Sequence, residues 1–140
     1  FPPELAKLRE PERPDVITVA YGTNDWSKTS KKCLEDSARG FAENLIKTYP
    51  DVPVFAILPI WRKDTRQITA AGSFPEAREI IRQAYIPHKQ IRILDGLSFV
   101  PHVVECFSDG YLHPNDLGFQ FMTESILKEI QRLGGIGTVK

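Results

Sequence analysis

The chain has 140 residues, 41% of them hydrophobic and 26% charged, which suits one globular domain with a buried core. Eighteen Lys and Arg residues balance eighteen Asp and Glu residues, so the formal net charge is zero. This balance excludes the strong positive field that recruits nucleic acids or acidic membrane surfaces, and we expect neither as a partner.

Cysteine usage and apolar run length exclude further classes. The two cysteines, Cys33 and Cys106, form no Cys-x-x-Cys motif, so neither a disulfide scaffold nor a zinc ribbon is expected. A reducing compartment such as the cytoplasm fits this usage. No stretch reaches the roughly 20 apolar residues of a membrane span, and no signal peptide is apparent.

An apolar, β-branched run from Asp15 to Tyr21 ends abruptly in the turn Gly-Thr-Asn-Asp. This pattern is typical of a strand buried on both faces that leads into a polar loop. Ligands of open parallel sheets bind beyond the carboxyl ends of the strands, so Asn24 is predicted to donate its side-chain amide to a substrate oxygen. Gly22, Thr23 and Asp25 are expected to border the substrate. The alternative is an Asx-type turn in which Asn24 and Asp25 bond only their own backbone.

The elements after this turn alternate between helix and strand, which predicts a parallel sheet flanked by helices. Ser73 and Glu76 have the spacing of a capping box at a helix start. The last helix is expected to begin near Asn115 and to bury Phe119 and Met122. The predicted elements are a strand at 16–21, a helix at 30–49, a strand at 52–59, a helix at 73–86, a strand at 91–94 and a helix at 115–133.

A polar stretch from Trp61 to Gly72 follows the second predicted strand. Long connections at strand ends are often functional, so Trp61 and Arg62 are predicted to line a substrate pocket. The alternatives are a helical extension for the whole stretch and, for Trp61, a side chain packed beneath it.

A second polar motif runs from Ser108 to Gly118, Ser-Asp-Gly-Tyr-Leu-His-Pro-Asn-Asp-Leu-Gly. A histidine in a tight loop before a helix, with a carboxylate upstream, suits a general base whose other ring nitrogen is held by an acid. His113 is the predicted base and Asp109 its acid, while Tyr111 is either a rim residue or a core residue. The alternative is that His113 only helps to start the helix.

Side chains of metal-ligating types also occur in this region, namely His102, Cys106, Asp109 and His113. Their spacing matches no recognised ligand pattern, so we expect no metal site. The Gly-Gly-Ile-Gly run follows a helix and does not precede one, so it is no phosphate cradle, and no cofactor is expected.

Residues 14–25 and 109–118 together resemble two motif blocks of the SGNH (GDSL-like) ester hydrolases. The resemblance implies a flavodoxin-like, three-layer α/β/α fold with a parallel sheet. Asn24 would correspond to the oxyanion-hole asparagine and His113 to the catalytic histidine. Asp109 lies one residue further from His113 than the family's aspartate does, so an irregular turn must bring the two together.

Two other blocks of that family are absent, the Gly-Asp-Ser block with the nucleophile and the block with a glycine oxyanion donor. Ser27, Ser30, Ser73 and Ser108 resemble loop or cap residues. The resemblance therefore implies a serine ester hydrolase, acting on a small acyl ester or an acetylated carbohydrate, whose N-terminal strands and nucleophilic serine lie outside this chain. The chain alone is then expected to be inactive. The competing interpretation is a noncatalytic binding or structural α/β domain.

The strand order of that fold predicts an unpaired edge. In the order 2-1-3-4-5 the first strand lies between the second and the third, so a chain that begins at the third strand leaves one edge of Val16 to Tyr21 open. Open apolar edges template pairing with another strand. We expect this edge to pair with a missing N-terminal piece of the same protein or with a second copy.

Overall fold

The computed structural model describes residues 2–135, which form a three-layer α/β/α arrangement around a three-stranded sheet. The predicted α/β fold with a parallel sheet is confirmed. In this part of the chain, no helix combines the length and apolar character that a membrane crossing requires.

The elements follow one another in the predicted alternation, with short additions. In chain order they are β1 (Ile17–Ala20), α1 (Thr23–Lys28), α2 (Lys31–Thr48), β2 (Val54–Ile57), β3 (Ile68–Thr69), β4 (Gly72–Ser73), α3 (Phe74–Tyr85), β5 (Ile91–Leu94) and α4 (Asp116–Arg132), with 3₁₀ helices at Pro3–Lys7, Gly96–Ser98 and Val104–Cys106.

The main sheet has the order β1-β2-β5, and both pairings are parallel. Ala20 lies opposite Ile57, which lies opposite Leu94. Because parallel strands point the same way, the segments that follow all three strands emerge at one edge of the sheet. Within the described residues, β1 forms one side of the sheet and has a neighbouring strand on one side only.

Helices cover the sheet because apolar side chains recur along one face of each helix. Helices α2 and α3 pack against one face of the sheet, and α4 packs against the other. The residues at the centre of the first interface include Leu34, Ala38, Phe41, Ala77, Ile81, Val54 and Ala56, and those of the second include Phe55, Ile57, Leu94, Met122 and Ile126.

The structure contains the capping hydrogen bonds expected at the predicted helix starts. Ser30 accepts a hydrogen bond from the N–H of Cys33 at the start of α2. Ser73 and Glu76 form the complete capping box of α3. Asn115 caps α4 by accepting a hydrogen bond from the N–H of Gly118. These bonds satisfy N–H groups that have no partner inside a helix.

Four expectations about local structure were wrong. Residues 23–28 form a helical turn and not a polar loop, because Trp26 is fully buried and packs edge-on against Phe74. The strand at 16–21 is not buried on both faces, since Thr18 and Ala20 are exposed where no layer covers β1. The helical alternative for 61–72 was wrong, since Ile68–Thr69 pairs antiparallel with Gly72–Ser73. Phe119 is 54% exposed, because α4 turns it away from the sheet.

The start of α4 lies unusually close to the 3₁₀ helix at Val104–Cys106. The backbone N–H of Asn115 donates to the carbonyl oxygen of Cys106 over 3.0 Å. A Cβ atom at Gly118 would lie only 2.2 Å from that same carbonyl oxygen. Glycine therefore permits the contact that anchors α4 directly after the loop containing His113.

We expect Gly118→Ala to destabilise the protein by about 1–3 kcal/mol, the usual cost of forcing an atom into a packed site. The loss should appear in urea denaturation although alanine is the better helix former. Gly40→Ala in α2 is the matched control, because its Cβ would meet only the side chain of Pro3, at 3.2 Å and beyond. Unchanged or increased stability of the Gly118 variant would contradict the close approach.

Candidate active site

A cavity of about 160 Å³ opens at the edge of the sheet where the strands end. The last residue of β1 and the last residue of β2, with the residues that follow each, form its inner wall. The loop before α4 contributes the opposite wall. The lining residues are Ala20, Tyr21, Thr23, Asn24, Ile57, Leu58, Pro59, Ile60, Leu112, His113 and Met122.

Asn24 reaches this cavity from the first turn of α1 and is exposed. Among residues 2–135, no protein group accepts a hydrogen bond from its side-chain amide, although its backbone oxygen accepts one from Ser27. The Asx-turn alternative requires the side-chain oxygen of Asn24 to accept a backbone N–H two residues further on, but the N–H of Trp26 donates to the backbone oxygen of Gly22. The amide is thus available to a ligand in the cavity.

His113 reaches the same cavity from the loop before α4, and its ring is held by Asp109. Nδ1 of His113 lies 2.7 Å from Oδ2 of Asp109. The other carboxylate oxygen accepts the backbone N–H groups of Tyr111, Leu112 and His113 at 2.8–3.1 Å. The extra residue between acid and base is accommodated by Gly110, whose φ of +61° suits glycine.

The backbone N–H of Leu112, followed by the ring of His113 and the N–H groups of His113 and Tyr111, lowers the pKa of Asp109 well below its usual range. The carboxylate is therefore ionised at neutral pH and can only accept hydrogen bonds. Nδ1 must then carry the proton of the neutral ring, which leaves the lone pair on Nε2. This tautomer is the one that a general base requires.

Of the remaining predicted site residues, one lines the cavity and the others lie around it. Thr23 lines the cavity, and Gly22 caps the start of α1 behind it. Asp25, itself part of α1, is buried. Trp61 is half-buried, stacks on the ring of His102 with centroids 5.3 Å apart, and is not among the residues that line the cavity.

Arg62 and Tyr111 stand beside the cavity and do not line it. Arg62 is only 4% exposed and forms a two-bond ion pair with Asp64, Nε to Oδ1 at 2.5 Å and Nη2 to Oδ2 at 3.0 Å. The hydroxyl of Tyr111 also donates to Asp64. Burial disfavours the charge on Asp64, but the hydrogen bonds from Arg62 and Tyr111 outweigh it and lower its pKa. The sequence did not predict the burial of Asp64, because an acidic residue two positions after an arginine is typical of a solvent-exposed loop.

The pKa of Asp109 generates a pH-dependent prediction. Since folding lowers this pKa, the ionised carboxylate stabilises the folded chain fully above the unfolded pKa of about 4, and the contribution is lost as pH falls towards the folded value. Asp109→Asn should therefore reduce stability in urea denaturation clearly at pH 7 and less at pH 3. Asp15→Asn, at an exposed position, controls for the loss of one carboxylate. An equal effect of Asp109→Asn at both pH values would contradict the ionised contact.

No family model and no curated protein sequence matches the chain. Solved structures do match it. A protein described as a GDSL-like lipase from Bacteroides ovatus superposes with a TM-score of 0.71 at 24% identity, over 93% of this chain and 39% of that chain. A salicylyl-acyltransferase from a tetracycline biosynthetic pathway gives 0.74 at 20% identity, over 94% and 41%. A lipase/acylhydrolase from Enterococcus faecalis gives 0.64 at 16%, over 86% and 63%.

The chain spans about two fifths of the length of the first two of these proteins. At such identities the likeness concerns the fold, and the activity of the similar proteins does not transfer with it. The superpositions cover more than nine tenths of this chain with TM-scores above 0.7. The described residues therefore have the fold of the GDSL-like (SGNH) hydrolases.

Proposed function

We propose that this chain provides the general base and an oxyanion donor of a serine ester hydrolase of the SGNH type. The observation that carries the proposal is the convergence of Asn24 and His113 on one cavity, with Asp109 holding the His113 ring in the tautomer of a base. The substrate class that fits is a small acyl ester or an acetylated carbohydrate. The reaction needs no cofactor.

The proposed reaction proceeds by acyl transfer to a serine and then to water. The serine hydroxyl attacks the ester carbonyl while Nε2 of His113 takes its proton, and the amide of Asn24 donates to the oxyanion that forms. Collapse of the intermediate expels the alcohol, which receives the proton from His113. Water then attacks the acyl-serine with the same base, and release of the acid regenerates the serine.

The serine of this reaction is proposed to come from residues outside these 140. No serine is among the described residues that line the cavity. Ser108 lies nearest in sequence to His113, but its hydroxyl donates to the backbone oxygen of His113 and not to the ring. A serine delivered at the carboxyl edge of the sheet would meet both Nε2 and the Asn24 amide.

The side of β1 opposite β2 is the proposed docking place for the strand that carries this serine. A groove of about 420 Å³ runs along that side, between β1 and the 3₁₀ helix at Pro3–Lys7. Leu5 and Leu8 on its rim are 45% and 65% exposed, and Thr18 and Ala20 are also exposed. An added strand would pair with β1 and cover these side chains, and parallel pairing would bring its end to the cavity.

A second candidate function is a noncatalytic binding or structural domain. It is favoured by the same absence of serine among the described lining residues. The two proposals differ in whether Asn24 affects a chemical step, which kinetics can measure.

The first test measures ester hydrolysis in the full-length protein that carries the serine. Asn24→Ala should lower kcat by about 10²- to 10³-fold with little change in KM, because the donor acts on charge that develops only in the transition state. Gln83→Ala is the matched control, since it removes a carboxamide from the exposed face of α3, where Gln83 donates its amide to Glu79. An unchanged kcat, or absence of hydrolysis by the parent protein, would favour the noncatalytic domain.

The second test uses the isolated 140-residue chain. It should not react with a fluorophosphonate probe, and stoichiometric labelling would contradict the external serine.

In the same chain, the backbone amides of Ile17–Ala20 should exchange with solvent faster than those of Val54–Ile57, because among the described residues one side of β1 pairs with no strand. Equal protection of both strands in a monomer would contradict the docking strand, and a dimer in light scattering would assign the edge to a second copy.

A further inference from the structure

The strand β2 is followed by a buried group of charged and aromatic side chains that contacts both walls of the cavity. We define the Arg62 cluster as Arg62, Asp64 and Tyr111. Arg62 and Asp64 are 4% and 8% exposed, so neither charge is available to a ligand from solvent. A buried ion pair costs much desolvation and by itself adds little stability. The geometry of the Arg62–Asp64 pair therefore needs an explanation other than stability.

The cluster holds the wall that carries Asn24. Nη1 of Arg62 donates to the backbone oxygen of Thr23 over 2.8 Å, and Thr23 directly precedes Asn24. The guanidinium also lies over the ring of Trp26, 5.1 Å from its centroid. Two separate contacts thus tie the side chain of Arg62 to the short helix α1.

The same cluster holds the wall that carries His113. The Tyr111 hydroxyl donates to Asp64, and Nη2 of Arg62 lies 3.4 Å from that hydroxyl. The backbone N–H of Lys63 donates to the carbonyl oxygen of Tyr111 over 3.0 Å. The backbone N–H of Tyr111 in turn donates to Asp109, the acid that orients His113.

We propose that the Arg62 cluster is a positioning device that sets the separation between the Asn24 amide and the His113 ring. This inference rests on the proposed function for its kinetic consequence, but its geometric content stands apart from it. The planar guanidinium offers donors in a fixed fork, so its bonds to Asp64 and Thr23 define an orientation and not only an attraction. None of the three residues touches substrate in this role.

The principal variant is Tyr111→Phe, which removes one hydroxyl and keeps the ring beside Arg62. In the full-length protein that carries the serine, kcat should fall about tenfold with KM within about twofold, since small misplacements of reacting groups are costly. Tyr85→Phe is the matched control, because Tyr85 is 1% exposed and its hydroxyl has no hydrogen-bond partner within the described chain. Its kcat should remain that of the parent.

The second variant, Arg62→Lys, retains the positive charge and loses the fork, so its kcat should fall further than that of Tyr111→Phe. A raised KM with unchanged kcat would overturn the proposal and make Arg62 a substrate-binding residue. Should Arg62→Lys fail to fold, Tyr111→Phe decides alone.

A spectroscopic readout separates this inference from the proposed function. In NMR spectra of the same protein, Tyr111→Phe should shift both the Asn24 side-chain amide signals and the His113 ring nitrogen signals, whereas Tyr85→Phe should shift neither. Unchanged Asn24 and His113 signals in a folded Tyr111→Phe protein would overturn the positioning role. Shifted signals in a protein without esterase activity would support the positioning role and reject the hydrolase.

Discussion

Parallel pairing of three short strands is the constraint on which the rest of this structure depends. Because β1, β2 and β5 run in one direction, the chain must leave each of them at the same edge of the sheet. Residues that are far apart in sequence, such as Asn24 and His113, are thereby brought to one place without any attraction between them. Apart from Thr18 and Arg92, the residues of these strands are apolar, and the polar side chains of the site come from the segments that follow them.

Two pairs of interacting side chains, which differ in burial, lie beyond the carboxyl ends of the strands. The Arg62–Asp64 pair is buried, where few waters compete and where an unpaired charge is costly. The Asp109–His113 pair is more exposed, and the Asp109 carboxylate is held largely by backbone N–H groups of its own loop. The buried Arg62–Asp64 pair is suited to fixing the position of loops, and the accessible ring of His113 is suited to exchanging a proton. If both proposals hold, support and chemistry are separated by depth in this protein.

Sequence reasoning succeeded where hydrophobic periodicity and capping signals decide the structure. The strand at Ile91–Leu94 and the capping box of Ser73 and Glu76 are found as predicted, because both follow from local residue types. The fold class and its resemblance to SGNH hydrolases also followed from the sequence, since element order and two motifs sufficed.

Sequence reasoning failed where a tertiary contact decides the structure. Helix α1 has no apolar period of its own and depends on the burial of Trp26 against Phe74. The burial of Arg62 has the same origin, because the rings of Trp26 and Tyr111 cover its guanidinium. A short polar segment contains no local sign that distant aromatic rings will shield it from water. The Asp64 contact could therefore not be foreseen, although both its partners had been singled out.

The size of the cavity has a consequence for how substrate choice could change. Its volume of about 160 Å³ is small beside the roughly 300–1,000 Å³ of typical ligand pockets. The described residues therefore enclose only part of a larger ester. On the proposed function, recognition of the remainder falls to surfaces beyond this cavity. Selection could then alter those surfaces and exchange one ester for another while Asn24 and His113 stay in place.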